Sequence, residues 1–442
     1  MKVDLTQGNI ALQLLRMAGP MSIGIFAIMS MYFADSYFIA QLGVQPLAAV
    51  GFVYPMISTL SAIGFGFGSA ASSFIARAYG AKDQERLACY ATHALMASLC
   101  HAIALSVFGH FFADDLFRLM GASEAVLEHV MAYARVWFYG CFLIIIPMVG
   151  NSIIRATGNT RLPGTVMVLS AMTNIGLDPI FIFGWGPIPE FGIQGAAIAS
   201  VGSYAVAFIF IVYKLIVSLD MLRFSFIRRQ SLKVWRDLMS IAYPAIMTNF
   251  TVPISVGITT AFVAAYGDEA VAGFGIASRI ESFILVPMFG LASVMGPFTG
   301  QNLGAGRVDR MQSAFRWSAK AMIGYSLVCT LLVYLFGYAL IGLFDTTDAV
   351  EQQSFLYLSL VLWASGFSGI VVSTNSCANA VGRPMIAVVI NIGRFFCAYL
   401  PLLYVLNWLF GLHGVYLSIS LSSCLMALVA LYLRRYLVAN PK

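Results

Sequence analysis

Between Asp35 and Arg77, and again between Arg394 and Arg434, not one residue carries a formal charge. A surface exposed to water cannot be built on such stretches, because a solvated face needs ionic or strongly polar side chains. The whole chain follows the same rule. Its 25 basic and 19 acidic residues make only 10% of 442 positions charged, 60% are hydrophobic, and the mean hydropathy is +0.86. Soluble domains carry about 25% charged residues. A soluble multidomain enzyme and a disordered chain are both excluded on this ground, which leaves an integral membrane protein.

Crossing the hydrocarbon takes about 20 apolar residues as a helix. Runs of that length, punctuated by Gly, Pro or charge, lie near residues 14–40, 46–75, 88–112, 130–151, 162–184 and 192–215. Six more lie near 238–264, 270–299, 313–337, 353–377, 385–408 and 412–433. None alternates apolar and polar as a barrel strand would, so the expected fold is all-α with twelve transmembrane helices. The seven cysteines all lie in apolar stretches without a CxxC, and the five histidines never pair with cysteine or acid at ligand spacing. Neither a disulfide framework, a metal site nor a cofactor is expected. Lys2, Asp4 and Gln7 precede the first run without a signal-peptide pattern, so the start reads as a cytoplasmic tail.

Positive residues favour the cytoplasmic side. With the N-terminus inside, 21 of the 25 Lys and Arg fall in inner loops or at the ends, Lys2, Arg228, Arg229 and Lys442 among them. Arg118 alone is in an outer loop, while Arg135, Arg279 and Arg394 sit within spans. Both termini are therefore expected in the cytoplasm, in a plasma or inner membrane. The net charge of +6 is a topology signal rather than a sign of nucleic-acid binding.

The chain is also one unit written twice. At a shift of 224 positions Pro20 meets Pro244, Phe38 meets Phe262, Gly43 meets Gly267, Gly66 meets Gly290, Tyr133 meets Tyr357 and Asn151 meets Asn375. The last two helices need a shorter offset, since Phe191-Gly192-Ile193-Gln194-Gly195 matches Phe410-Gly411-Leu412-His413-Gly414. Chance similarity between apolar segments does not hold Gly and Pro in one register through loops and helices. Six spans per copy make the copies parallel repeats, related by an axis along the membrane normal, and transporters place substrate between such halves. The expected organisation is an N-lobe over 1–215, a basic cytoplasmic link over 216–237 and a C-lobe over 238–442, acting as a monomer by alternating access. No filter-like motif supports a channel.

These residues bring the chain close to a known family. Arg77-Ala-Tyr-Gly-Ala-Lys and Gln301-Asn-Leu-Gly-Ala-Gly close the second helix of each lobe. Arg155-Ala-Thr-Gly-Asn-Thr-Arg pairs with Asn379-Ala-Val-Gly-Arg-Pro, and Ala277-Ser-Arg-Ile-Glu281 adds a further match. Over its whole length the sequence resembles the multidrug and toxic compound extrusion (MATE) family. The resemblance implies a two-lobed exporter that exchanges an incoming cation for small amphipathic, often cationic, drug-like compounds. Within that family it is similar to the DinF-type branch, which implies cation-site roles for Asp35 in the first helix, Asn174 and Asp178 in the fifth, and Tyr133 and Asn151 in the fourth. The other main branch keeps acids in the seventh and tenth helices. Here Thr259 stands opposite Asp35 and Leu402 opposite Asp178. Sodium-site members carry a hydroxyl in the sixth helix, for which Ser200 in Ala196-Ala-Ile-Ala-Ser200 is the substitute.

A carboxylate in mid-membrane costs about 2.5–3.5 kcal/mol and usually does work. Asp35 and Asp178 each lie roughly 9 Å of helix below an outer loop, so they share a depth. Asn174 is one turn from Asp178 on the same face, and Pro179 frees a backbone carbonyl there. Two acids close together in low dielectric cannot both remain ionised, so the pair is expected to take up protons as a coupled unit. Protonation from outside would then bend the first helix near Pro20 or Gly24 and release drug. Since the acids do not recur in the second copy, coupling is expected in the N-lobe, with H+ as coupling ion and Na+ as the alternative. Met31, Tyr32 and Tyr37, with Met29, are candidates to line an adaptable cleft. Arg279 and Glu281 read as structural partners of other helices, and Arg394 as a donor to helix-end carbonyls or a buried acid. A lipid-linked precursor flippase is the nearest rival, but its cleft should present several basic residues to a pyrophosphate. A prenyltransferase-like membrane enzyme would need acid clusters that Asp114-Asp115 alone does not make.

Overall fold

The computed structural model describes residues 4–223, 231–344 and 347–439. Lys2, Arg228, Arg229 and Lys442 lie outside the described residues. What is described is almost entirely helical, as the unbroken apolar runs require when backbone groups have no water to bond. The first repeat comprises α1 (Ile10–Ala40), α2 (Val44–Gly80), α3 (Gln84–Leu119), α4 (Glu124–Tyr139), α5 (Cys141–Ala156), α6 (Arg161–Phe183) and α7 (Ile193–Tyr213). The second comprises α8 (Ser231–Ala264), α9 (Asp268–Ile284), α10 (Val286–Gly304), α11 (Val308–Ile341), α12 (Asp348–Val361), α13 (Ser365–Ala380), α14 (Pro384–Gly393), α15 (Leu400–Phe410) and α16 (Leu412–Ala439). Among the described residues ten spans, some built from consecutive segments, are long and apolar enough to cross a membrane. The pairs α4–α5 and α9–α10 pass the same test, each bent by 51°, which brings the spans to twelve. The chain is a multi-pass membrane protein.

Local chemistry explains where these helices begin, end and break. Gly43 and its repeat mate Gly267 turn the chain into α2 and α9 at φ 110° and 101°, a region closed to most other residues. Asp83 caps α3 by accepting from the Arg86 amide at 2.9 Å. The α4–α5 bend falls at Gly140, whose bare Cα lets Val201 of α7 pack against the kink. Ala364, the repeat mate of Gly140, ends the 3-10 turn Leu362–Ala364 that joins α12 to α13. A π-helical segment, Arg394–Tyr399, joins α14 to α15 just before Pro401, which has no N–H for the ordinary helical ladder.

The chain forms two compact units. One contains Ile23–Ile246, and the other contains Asp4–Ser22 together with the chain from Met247 onward. Two helices are therefore divided: α1 between Ser22 and Ile23, and α8 at the same repeat register between Ile246 and Met247. Glycine makes the close helix crossings possible. A Cβ on Gly66 of α2 would lie 2.3 Å from Ile246 and 2.8 Å from the Ala242 carbonyl on α8. In the other unit, a Cβ on Gly290 of α10 would lie 2.1 Å from Ser22 Oγ and 3.0 Å from the Ala18 carbonyl on α1.

Candidate functional site

The first unit buries two carboxylates. Asp35 lies one turn before the end of α1 and is 8% exposed, while Asn174 and Asp178, one turn apart on α6, are fully buried. Asn174 donates from Nδ2 to Asp178 Oδ1 and to Ser200 Oγ on α7, both at 3.2 Å. Both N–H groups of the amide are thus used. Three acceptors stay buried with no hydrogen-bond partner: Asp35 Oδ1, Asn174 Oδ1 and Asp178 Oδ2. Buried oxygens of this kind call for a proton, a cation or water.

Asp35 and Asp178 are close enough for their charges to interact, and Tyr133 on α4 lies within electrostatic reach of both. Tyr133 is buried and stacks on Trp137 at 6.1 Å between ring centroids. Trp137 meets Tyr204 of α7 edge-on at 6.4 Å, and the Tyr204 hydroxyl lies 3.4 Å from that of Tyr32 on α1. Among the described residues no basic side chain forms an ion pair with either acid. The ion pairs there join Arg118 to Asp114 and Glu124, and Arg223 to Asp220, all at exposed positions.

The structure thus brings together Asp35, Asn174, Asp178 and Tyr133 from α1, α6 and α4, with Ser200 from α7. Pro179 leaves α6 unbroken, but it cannot bond the carbonyl four residues earlier. Asn151 lies on α5, beyond the Gly140 bend from Tyr133, with its own Oδ1 buried and unpartnered. Met31 is buried, whereas Tyr32 and Tyr37 are exposed, Tyr37 packing edge-on against Phe38 at 5.6 Å. The first helix runs through Pro20 as one helical element. Gly24 sits where α1 crosses α6, with room for a Cβ only 3.0 Å from Met167 Sδ and 3.1 Å from Gly164 Cα. Sequence reasoning passed over Trp137 and Tyr204. Their signal was the four-residue step that sets Trp137 beside Tyr133 and Tyr204 beside Ser200.

A family model described as MatE matches the chain twice, over residues 20–180 and 244–405. The two matches start on the repeat prolines, Pro20 and Pro244. A FAD transporter of Shewanella oneidensis is 35% identical over 421 residues, which is 95% of this chain and 93% of that protein. The probable multidrug resistance protein YoeA of Bacillus subtilis is 29% identical over 83% of this chain and 80% of its own. Among solved structures, the Vibrio cholerae MATE transporter VcmN in the bent form matches with a TM-score of 0.91 at 29% identity, covering 97% of each chain.

Proposed function

Because the chain belongs to the MatE family of membrane transporters, which includes multidrug exporters, we propose that it exports small amphipathic compounds in exchange for protons, with Asp35 and Asp178 as the proton carriers. The supporting observation is a pair of interacting, buried carboxylates, each with an oxygen that has no partner and neither in an ion pair among the described residues. Burial penalises the charged form, and a neighbouring like charge penalises it further. A proton removes both costs at once. Protons arriving from outside neutralise the pair, the packing of α1 against α6 relaxes, and the helix yields near the Ser22–Ile23 division, between Pro20 and Gly24. Loss of the protons to the cytoplasm resets the cycle.

Driving force is sufficient. Each elementary charge moved through 100 mV supplies about 2.3 kcal/mol, a gradient of roughly fifty-fold. If one proton enters as one monovalent cation leaves, no net charge crosses and the pH difference alone drives transport. We place the protein in the inner membrane with both termini cytoplasmic, on the distribution of Arg and Lys along the chain. Cationic drugs suit an acidic site, and the relative named a FAD transporter extends the range to anionic amphipaths.

One observation favours a second coupling ion. The unpartnered Asn174 Oδ1 is an amide oxygen, which does not take up a proton at neutral pH but can ligate Na+. The test is efflux of a fluorescent dye from proteoliposomes under a pH gradient alone and then a sodium gradient alone, with wild type and Asp35→Asn. Proton coupling requires efflux under the first gradient and its loss in Asp35→Asn. Normal efflux by that variant removes the mechanism.

A further inference from the structure

The second unit repeats the Tyr133 hydroxyl of the first but neither of its two acids. Thr259 takes the place of Asp35 and Tyr357 the place of Tyr133. Around them lie Glu281 on α9, read from the sequence as a structural partner of other helices, and Arg394 at the start of the π-helical segment, read as a donor to helix-end carbonyls or a buried acid. Glu281 is well supplied with donors: Tyr357 gives its hydroxyl to Oε2 at 2.6 Å and Ser365 gives its own to Oε1 at 3.3 Å. Arg394 is within electrostatic reach of Glu281, yet the two form no direct ion pair among the described residues. Arg394 donates from Nη2 to Ser423 Oγ on α16 at 2.8 Å, and Ser423 also accepts from Ser368 at 3.0 Å.

A guanidinium has five N–H donors in a planar fork shaped for a carboxylate or phosphate. Here it stands about ten residues, roughly 15 Å of helix, inside a 27-residue apolar span, half-buried, with its nearest acid already bonded to two hydroxyls. Two further observations point to a ligand. The Tyr416 hydroxyl is fully buried with no partner, on a ring that packs against Tyr357 at 5.1 Å. The helix also widens into π geometry where Arg394 emerges, a distortion frequent at functional sites.

We propose that Arg394, with Ser423 beside it and Glu281 as its tethered counter-ion, forms a docking site in the second unit for the anionic group, phosphate or carboxylate, of an amphipathic substrate. When no anion is bound, Glu281 offsets the guanidinium charge. An arriving phosphate or carboxylate competes for that charge and takes the free donors. The site rests on and deepens the export reading above by giving the anionic class of cargo a place in the fold, and it is tested by binding, which does not depend on proton coupling.

Binding to the purified full-length protein is measured with two matched pairs of fluorescent probes. 4-Methylumbelliferyl phosphate against 4-methylumbelliferone isolates a phosphate, and fluorescein against rhodamine 123 sets an anion against a cation on one ring system. Wild type should hold at least one anionic probe about tenfold or more tighter than its partner. Arg394→Gln should abolish the preference, and Arg394→Lys should keep part of it. Glu281→Gln should strengthen anion binding, because a competing charge is gone, and this variant decides the matter should both Arg394 variants fail to fold. Equal affinity within both pairs in wild type, a preference that survives Arg394→Gln, or weaker anion binding in Glu281→Gln overturns the proposal. Proton-driven efflux of rhodamine 123 by wild type tests the export reading separately.

Discussion

Asp178→Asn separates the chemical role of the buried acid from its structural role. In wild type, Asp178 Oδ1 accepts from Asn174 and Oδ2 has no partner, in a fully buried position. Asparagine has nearly the same shape and keeps an oxygen for the Asn174 bond. It also removes a mid-membrane charge that costs about 2.5–3.5 kcal/mol. The variant should therefore fold and melt at the wild-type temperature or above. What it loses is a titrating site. One pH unit is worth about 1.4 kcal/mol per proton, so each proton no longer carried lowers the attainable substrate gradient about tenfold for every pH unit imposed. The assay is dye accumulation in proteoliposomes at fixed pH differences, with proton flux followed by an entrapped pH indicator. A variant that matches wild-type accumulation and proton flux would refute the coupling mechanism. One that fails to fold would refute the claim that the carboxylate is an uncompensated charge.

Other substitutions test the packing. Gly66→Ala places a Cβ 2.3 Å from Ile246 and 2.8 Å from a backbone carbonyl, so overpacking of about 1–3 kcal/mol is expected in a detergent-unfolding assay. Adding Ile246→Ala should restore part of the loss, and a neutral Gly66→Ala would contradict the crossing. Arg434 is buried without an acid partner, and it donates to the Phe315 and Ile370 carbonyls at 3.0 Å, to Thr374 Oγ1 at 2.7 Å and to Ser373. Lysine cannot reproduce that fork, so Arg434→Lys should lower stability by about 2–4 kcal/mol, read as a drop in melting temperature. For orientation, a green fluorescent protein fused to the C-terminus should fluoresce and one inserted after Gly43 should stay dark. The reverse pattern would invert the assigned topology.

Much of this was legible in the sequence because it depends on local composition. Whether a segment prefers hydrocarbon to water is decided residue by residue, so twelve spans, the all-α class and the duplication follow from the order of apolar, glycine and proline positions. The unpaired acids were legible for the same reason, since a carboxylate inside an apolar run stands out at once. The bend at Gly140 was not. The run over 130–151 reads as one span, and only the packing of Val201 shows why the helix turns there.

The chain order alone therefore determined a duplicated helical transporter with Asp35 and Asp178 in one repeat. Tertiary structure decided what those groups meet: that Asn174 bridges Asp178 to Ser200, and that α1 and α8 each divide between the two units. It also decided that Glu281 takes two hydroxyls while Arg394 keeps donors to spare. Partition between lipid and water is a sum over neighbours in sequence, whereas a hydrogen bond between helices depends on rotation, depth and distance set by the whole bundle.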